Sequence, residues 1–550
     1  MSKEIHSQDE VTSSSRFDRE RLEYPVSQAY PAIAPPSFPC RLGSSISILI
    51  DGNLEGLLPE KQAHHESGKE LTRGGRCPYI FFAQRLALTI DWRDVGQVTI
   101  DMLPDVALLE IFDFYMYETR IQAWHTLVHV CRKWRGVVFG SPRRLNLRLV
   151  CRGRTPVRET LYVWPVLPIV IFTSYETWDA DNIIAVLEQN DRICQMDFHE
   201  CTSPQFEKVL AAMQQPFPAL THLDLWLTEE TTPVIPDSFL GGSAPQLQML
   251  ILFRIQFPGL PRLLLSAIHL VYLDLMRIPH SGYISPEVMV TCLSVLTSLK
   301  ILYISFESPR SRPDRKSRRP PPPTRTLLPV LTELTFKGVS EYLEDLLARI
   351  DAPLLDKSSI FFFHQLIFDL PQLAQFISRT PKFKAHDQAR VSFYDWGVQV
   401  TFGGSLDLAI SCRKLDWQLS SLAQICSSSF LQTLVPMVEC LSIEIAQVYL
   451  DEQRWQYAIE NSQWLELLHP FAAVKDLYIS EMFTPYIAPA LQELSGESVT
   501  EVLPALQSLF LERYPLDYSR LVQESIGQFV SARQLSGHPI AVSRWEVESQ

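Results

Sequence analysis

The sequence predicts an α/β fold in which short strands alternate with helices and stack into an irregular solenoid with a curved parallel sheet, behind a small N-terminal helical unit. Three observations predict it. An apolar–x–x–apolar–x–apolar triplet recurs along the chain, proline stands at a fixed offset before many copies, and helix-like segments lie between them. Apolar residues make up 46% of the 550 positions and charged residues 20%, which allows a large core and excludes wholesale disorder.

The N-terminal quarter is the least patterned. Residues 1–75 carry a Ser13-Ser14-Ser15 run and the prolines 31, 35, 36 and 39, and read as a mostly disordered leader. Residues 76–98 regain apolar character without caps or a clear period. A well-specified unit, 99–149, opens at Leu103-Pro104-Asp105. Proline suits a helix's first turn, where its missing N–H is not needed, and Asp105 complements the positive end. Leu108, Leu109, Phe112 and Tyr115 then fall on one helical stripe. A second helix is predicted over Ile121–Phe139 from Trp124, Leu127, Val128, Cys131, Trp134 and Val138, stopped by Gly140 and Pro142. Leu145, Leu147 and Leu149 alternate as a short strand would. The stripe is wider than two short helices can bury against each other, so the unit must dock onto something.

From 150 to 535 the triplet organises the chain. It occurs as Ile193-Met196-Phe198, Leu220-Leu223-Leu225, Leu247-Leu250-Leu252, Leu270-Leu273-Leu275, Leu299-Leu302-Ile304 and Leu331-Leu334-Phe336, with starts 27, 27, 23, 29 and 32 residues apart. Three later copies start at Val438, Val474 and Leu506, and a degraded one at Leu355. Proline precedes six copies by two places, at 218, 245, 329, 353, 436 and 504, where it would stop a helix and open a strand. Ser203–Met213, Glu341–Ile350 and Leu370–Ser378 read as intervening helices. Such units are the sequence form of a leucine-rich-repeat solenoid, here irregular because Thr228, Ile255 and Ile278 replace the regular Asn or Cys. A Pro-rich insertion at 308–326, with seven basic residues from Arg310 to Arg325, reads as a solvated loop in preference to a nuclear-localisation patch or polyproline ligand. Residues 536–550 read as a tail.

Met102–Leu149 resembles the F-box motif. Leu103, Pro104, Leu108, Leu109, Ile111 and Phe112 match its leading Leu-Pro and apolar first helix, and Val130, Cys131 and Trp134 its Val-Cys-x-x-Trp core. Val106 departs from the usual Glu, and the Phe114–Arg120 link is longer. The whole chain resembles predicted F-box proteins of mushroom-forming fungi. The resemblance implies a substrate-recognition subunit that hands its helical motif to the Skp adaptor of a cullin–RING ubiquitin ligase and captures a protein substrate with its repeats. It implies adaptor contacts at Leu103, Pro104, Leu108, Leu109, Ile111, Phe112, Trp134 and Val138, and no catalysis by this chain. A leucine-rich-repeat scaffold acting outside a ligase is the alternative.

The residue chemistry supports no other class. Forty-nine basic against 62 acidic residues give a net charge of −13, unlike a general nucleic-acid binder. The longest apolar run, Leu161–Phe172, is broken by Pro165 and Pro168, so no membrane span is expected. The N-terminus lacks a secretory core and no Asn-x-Ser/Thr occurs, so the chain is expected to be intracellular, cytoplasmic or nuclear. Ten scattered cysteines without a C-x-x-C pair read as small buried hydrophobes. His125 and His129 lack a third ligand, His199-Glu200 is followed by Ser203 where a zinc protease needs His, and no phosphate loop or nucleophile elbow occurs. No cofactor, metal or catalytic residue is assigned. Strand alternation places Trp226, Tyr272, Asp274, Tyr303, Tyr478 and Phe510 on one exposed face, the expected substrate surface.

Overall fold

The computed structural model describes residues 103–118, 123–152, 156–173, 179–199, 203–227, 234–313, 324–363, 370–383, 386–412, 414–428, 431, 434–446, 460–494, 496–512 and 519–545. The expected leader, the 76–98 segment and the middle of the basic insertion lie outside them. The chain divides into two units between Ala107 and Leu108. Leu103–Ala107, the described part of the first, includes Asp105, where helix α1 (Asp105–Glu118) begins.

The second unit opens with the rest of α1, then α2 (Trp124–Val130) and α3 (Arg132–Gly140). The single helix expected over Ile121–Phe139 is therefore two. Cys131 is extended at φ −156°, ψ 171°, and its Sγ accepts the Trp134 N–H, capping α3. Arg135 Nε reaches back to the Val128 carbonyl at 2.9 Å, supplying a donor the interrupted helix lacks. The apolar stripe continues through the break, so periodicity alone does not register it. Phe112 meets Trp134 with ring centroids 4.7 Å apart, joining α1 to α3. Leu145 and Leu147 are buried, but in a run of turns; the strand expected at 144–149 begins only at Leu149.

Among the described residues one sheet of 16 strands follows. Its first half is β1 (Leu149–Arg152), β2 (Ile169–Thr173), β3 (Ile193–His199), β4 (His222–Trp226), β5 (Met249–Phe253), β6 (Tyr272–Ile278) and β7 (Ile301–Phe306). A two-residue strand β8 (Thr326–Leu327), paired in parallel with β10 (Ile350–Asp351), brackets β9 (Glu333–Gly338). Next come β11 (Lys357–Phe363), β12 (Gln388–Phe393), β13 (Gly397–Phe402), β14 (Leu406–Ser411), β15 (Cys440–Ile445), β16 (Asp476–Ile479), β17 (Ser508–Leu511) and β18 (Ala541–Arg544). The last two positions of every triplet copy identified in the sequence lie on a strand, including those of the degraded one on β11. The expected tail contributes β18, parallel to β17, so the repeat region runs past 535.

Register turns the triplets into continuous apolar rows. Met196, Leu223, Leu250, Leu273, Leu302 and Leu334 align across β3 to β9, as do Phe198, Leu225, Leu252, Leu275, Ile304 and Phe336. All are at most 4% exposed, so each repeat buries its core only against its neighbours. The prolines have a more specific task than ending helices. Leu220, Leu247, Leu331, Leu355, Val438 and Leu506 each donate their N–H to the carbonyl three residues back. That places Pro218, Pro245, Pro329, Pro353, Pro436 and Pro504 at the second position of a β-turn, where the fixed φ of proline is already correct.

One stretch breaks the strand–helix alternation. β12, β13 and β14 form an antiparallel meander that enters the sheet in reverse, β14 beside β11 and β12 beside β15. Elsewhere helices connect most of the strands: α4 (Val157–Val163), α5 (Ala180–Leu187), α6 (Ser203–Ala212), α7 (Leu260–Ser266), α8 (Pro286–Leu293), α9 (Ser340–Leu347) and α10 (Pro371–Arg379). After the meander come α11 (Leu415–Ser427), α12 (Asn461–Leu468), α13 (Thr484–Gln492) and α14 (Arg520–Leu535). Most successive helices pack side by side. Buried polar groups fix their ends: Glu344 on α9 accepts the Gln372 and Leu373 N–H groups at the start of α10, at 2.8 and 2.9 Å. The chain is thus a mixed α/β fold with a large, mostly parallel sheet, consistent with a leucine-rich-repeat solenoid.

Candidate functional site

Because side chains alternate along a strand, the residues between the apolar positions form rows on the opposite, outward face. The central row reads Phe172, Asp197, Asp224, Ile251, Asp274, Tyr303, Thr335, Ser359 and Asp407 from β2 to β14. It continues on the far side through Ser442, Tyr478 and Phe510. One flanking row holds His199, Trp226 and Phe253, the other Gln195, His222, Met249 and Tyr272. The six residues expected on the substrate face therefore all point outward, four in the central row and Trp226 and Tyr272 on either side.

Their exposure differs from expectation. Asp274 is 1% exposed and so is not a surface group. The five aromatics are half-buried, and three of them, Trp226, Tyr478 and Phe510, pack against other rings. Trp226 stacks on Phe253 with centroids 4.2 Å apart and planes 8° from parallel, and His199 stacks on the other side of Trp226 at 5.6 Å. The Arg277 guanidinium lies 5.4 Å from the Phe253 ring centre. Tyr478 and Phe510 stack likewise at 4.4 Å, with Trp545 against Tyr478.

The acidic members of the central row fare differently. Asp407 accepts from Ser359 Oγ at 2.8 Å and Thr401 Oγ1 at 2.7 Å, so both its oxygens are satisfied. Asp274 accepts the Tyr272 hydroxyl on Oδ2 at 3.2 Å, while its buried Oδ1 has no hydrogen-bond partner. Burial, against the opposing Tyr272 bond and with help from the Asp224 charge, pushes its carboxyl up to about 7.

Asp197 and Asp224, paired in register, converge on His199. Its Nε2 stands 2.6 Å from Asp197 Oδ1 and 3.4 Å from Asp224 Oδ2. Burial would lower the imidazolium, but the two carboxylates outweigh it and raise His199 to about 10. Asp224 itself is raised, first by burial, with the Asp197 charge adding to it against the pull of His199. The three donor atoms lie within 4.8 Å of one another. His199 was set aside in the sequence because no second histidine follows at helical spacing. The legible signal was the shared slot of Asp197, Asp224 and Asp274, each between the second and third apolar residues of its triplet.

The F-box-like residues are distributed otherwise than expected. Leu108, Phe112 and Val138 are fully buried, and Leu109 and Trp134 at most 9% exposed, so all five serve the core of this chain. Leu103 and Ile111 are half-buried, and Pro104 is exposed. The open apolar side chains are Val106 and Phe114 on α1 and Val130 on α2. Their exposure follows from the helix: they lie off the stripe that meets Trp134. His125 packs tilted on Trp124 and edge-on to Trp164, and His129 also meets Trp164 edge-on, which makes the pair part of an aromatic cluster.

No protein-family model matches the sequence, and no curated protein matches it. Among solved structures it is similar to the leucine-rich repeat-containing protein LegL7 from Legionella pneumophila, at 13% identity over 71% of this chain and 98% of that one, with a TM-score of 0.23. Among the described residues no helix is long and apolar enough to cross a membrane.

Proposed function

We propose that this chain is the substrate-recognition subunit of a Skp–cullin–F-box ubiquitin ligase, its helical unit docking the Skp adaptor and its sheet face binding a protein substrate. The observation that carries the reading is the meeting of the two halves of the motif: Phe112 of the Leu-Pro helix packs on Trp134 of the Val-Cys-x-x-Trp segment. Leu108, Leu109, Phe112 and Trp134 of the motif are buried, leaving Phe114 and Val130 outward for a partner. Catalysis belongs to other subunits; this chain raises the effective concentration of substrate near the conjugating enzyme, inside the cell. One observation favours the alternative of a scaffold outside a ligase: five of the eight residues expected to contact the adaptor are buried within the chain.

Co-purification decides between them. Wild-type chain should recover the Skp adaptor, and Phe114→Asp with Val130→Asp should cut recovery at least about ten-fold, as charge in a hot spot does. Failure of the folded wild-type chain to recover adaptor overturns the ligase reading and leaves the scaffold.

A further inference from the structure

We propose that Asp197, His199 and Asp224 form a binding site for a divalent transition-metal ion, zinc or manganese, on the outward face of β3 and β4. The site goes beyond the ligase reading and does not depend on it. Its donors are one imidazole nitrogen and two carboxylate oxygens, a set that suits both ions. Adjacent ligands on a tetrahedral ion with bonds of ~2.0–2.1 Å stand ~3.3 Å apart. The contacts at 2.6 and 3.4 Å bracket that separation.

His199 Nε2 lies 2.6 Å from Asp197 Oδ1 and 3.4 Å from Asp224 Oδ2, so one imidazolium faces two carboxylates, and the buried Asp224 Oδ1 has no hydrogen-bond partner. An ion between the three groups would use converging lone pairs that one imidazolium proton serves poorly.

The surroundings hold the ligands in place. The His199 ring is set by its stack on Trp226, and the strand end by Thr173, whose Oγ1 accepts the His199 N–H at 3.1 Å and contacts the Asp197 carbonyl. Orientation by such neighbours is what a metal ligand requires. A second, independent observation lies two strands along the same row. Asp274 is 99% buried by virtue of its 1% exposure, faces outward like Asp224, feels its charge, and has an oxygen without a hydrogen-bond partner. A third carboxylate short of a donor, separated from Asp224 by Ile251 on β5, leaves this row short of positive charge. The His199, Asp197 and Asp224 side chains keep 29%, 17% and 21% of their surface, which gives an ion access from solvent. On binding, the imidazolium proton passes to solvent and the ion takes its place.

The test uses the full-length chain stripped of metal by chelation. Mn2+ is the probe, since thiolates compete poorly for it and free Mn2+ is read directly by electron paramagnetic resonance. One Mn2+ per chain is expected at micromolar affinity, displaced by Zn2+. His199→Gln and Asp224→Asn should each weaken binding by about ten-fold or more, and Asp274→Asn by a few-fold. Asp356→Asn, at an exposed acid paired with Lys382, should leave it unchanged. Circular dichroism identifies any variant that has lost its fold, and Asp224→Glu, which keeps the charge but moves the oxygen, then serves in its place and should also weaken binding. Absence of Mn2+ binding below millimolar concentration, or binding that persists in the folded Asp197→Asn/Asp224→Asn chain, overturns the proposal and leaves an ion pair only.

Discussion

Asparagine at position 274 should stabilise the fold at neutral and alkaline pH and not at acid pH. Asp274 is buried, with one oxygen unsatisfied, and its carboxyl is raised from 3.8 to about 7. A folded-state value above the unfolded one means that the folded chain holds this proton more tightly. Stability is then unaffected below about pH 4, falls as pH rises from about 4 to 7, and is flat above. The rise from 3.8 to about 7 corresponds to at most ~4 kcal/mol of penalty at pH 8. Asparagine removes the charge and keeps an acceptor for the Tyr272 hydroxyl. Its amide brings N–H donors into the same confined place, and one left unpaired costs ~1–3 kcal/mol. The net gain at pH 8 is therefore ~1–3 kcal/mol, and at pH 4 the variant should equal or fall below wild type. Urea midpoints of both chains across pH 4 to 8.5 measure this, because subtracting the two curves cancels every other titrating group. A difference that does not change with pH, or an asparagine chain less stable at pH 8, would refute the account of Asp274 as an ionisable group buried without enough partners.

Two further substitutions test the packing. Arg533 on α14 is wholly buried and donates to the Val499 and Leu506 carbonyls at 3.1 and 2.9 Å, so Arg533→Met should cost ~2–4 kcal/mol and speed amide exchange in β17 and β18 about a hundred-fold. At Gly397 an added Cβ would overlap the Ile410 carbonyl oxygen, a backbone atom that cannot turn aside. Gly397→Ala should therefore lower stability by ~1–3 kcal/mol, visible as an earlier thermal midpoint.

How much of this could be read from the chain depends on the range of each interaction. The triplets predicted their strands because alternation is a local property, and Pro218 or Pro504 marked the approach to a strand even though its role, the second place of a turn, required the backbone. The break at Cys131 was hidden because a cysteine can continue a helical stripe or cap the next helix, and only the extended backbone distinguishes them. The meander of β12 to β14 left no triplet, since antiparallel neighbours share a core without repeating a spacing. Arg533 appeared as an ordinary charged residue of a terminal helix; the carbonyls that hold it are 27 and 34 residues away.

The amino-acid order by itself determined the alternation of strand and helix, the residues that fill the apolar rows, and the direction in which Trp226, Asp274 and Tyr478 point. Those follow from pleat and periodicity, which act over a few neighbours. Tertiary structure alone decided that Leu108, Phe112 and Val138 are sealed inside, that Asp274 is buried, and that Asp197, His199 and Asp224 meet. The first depends on how α1 and α3 pack, the other two on register between strands contributed by different repeats, and both are fixed by the packing of whole elements rather than by any one segment.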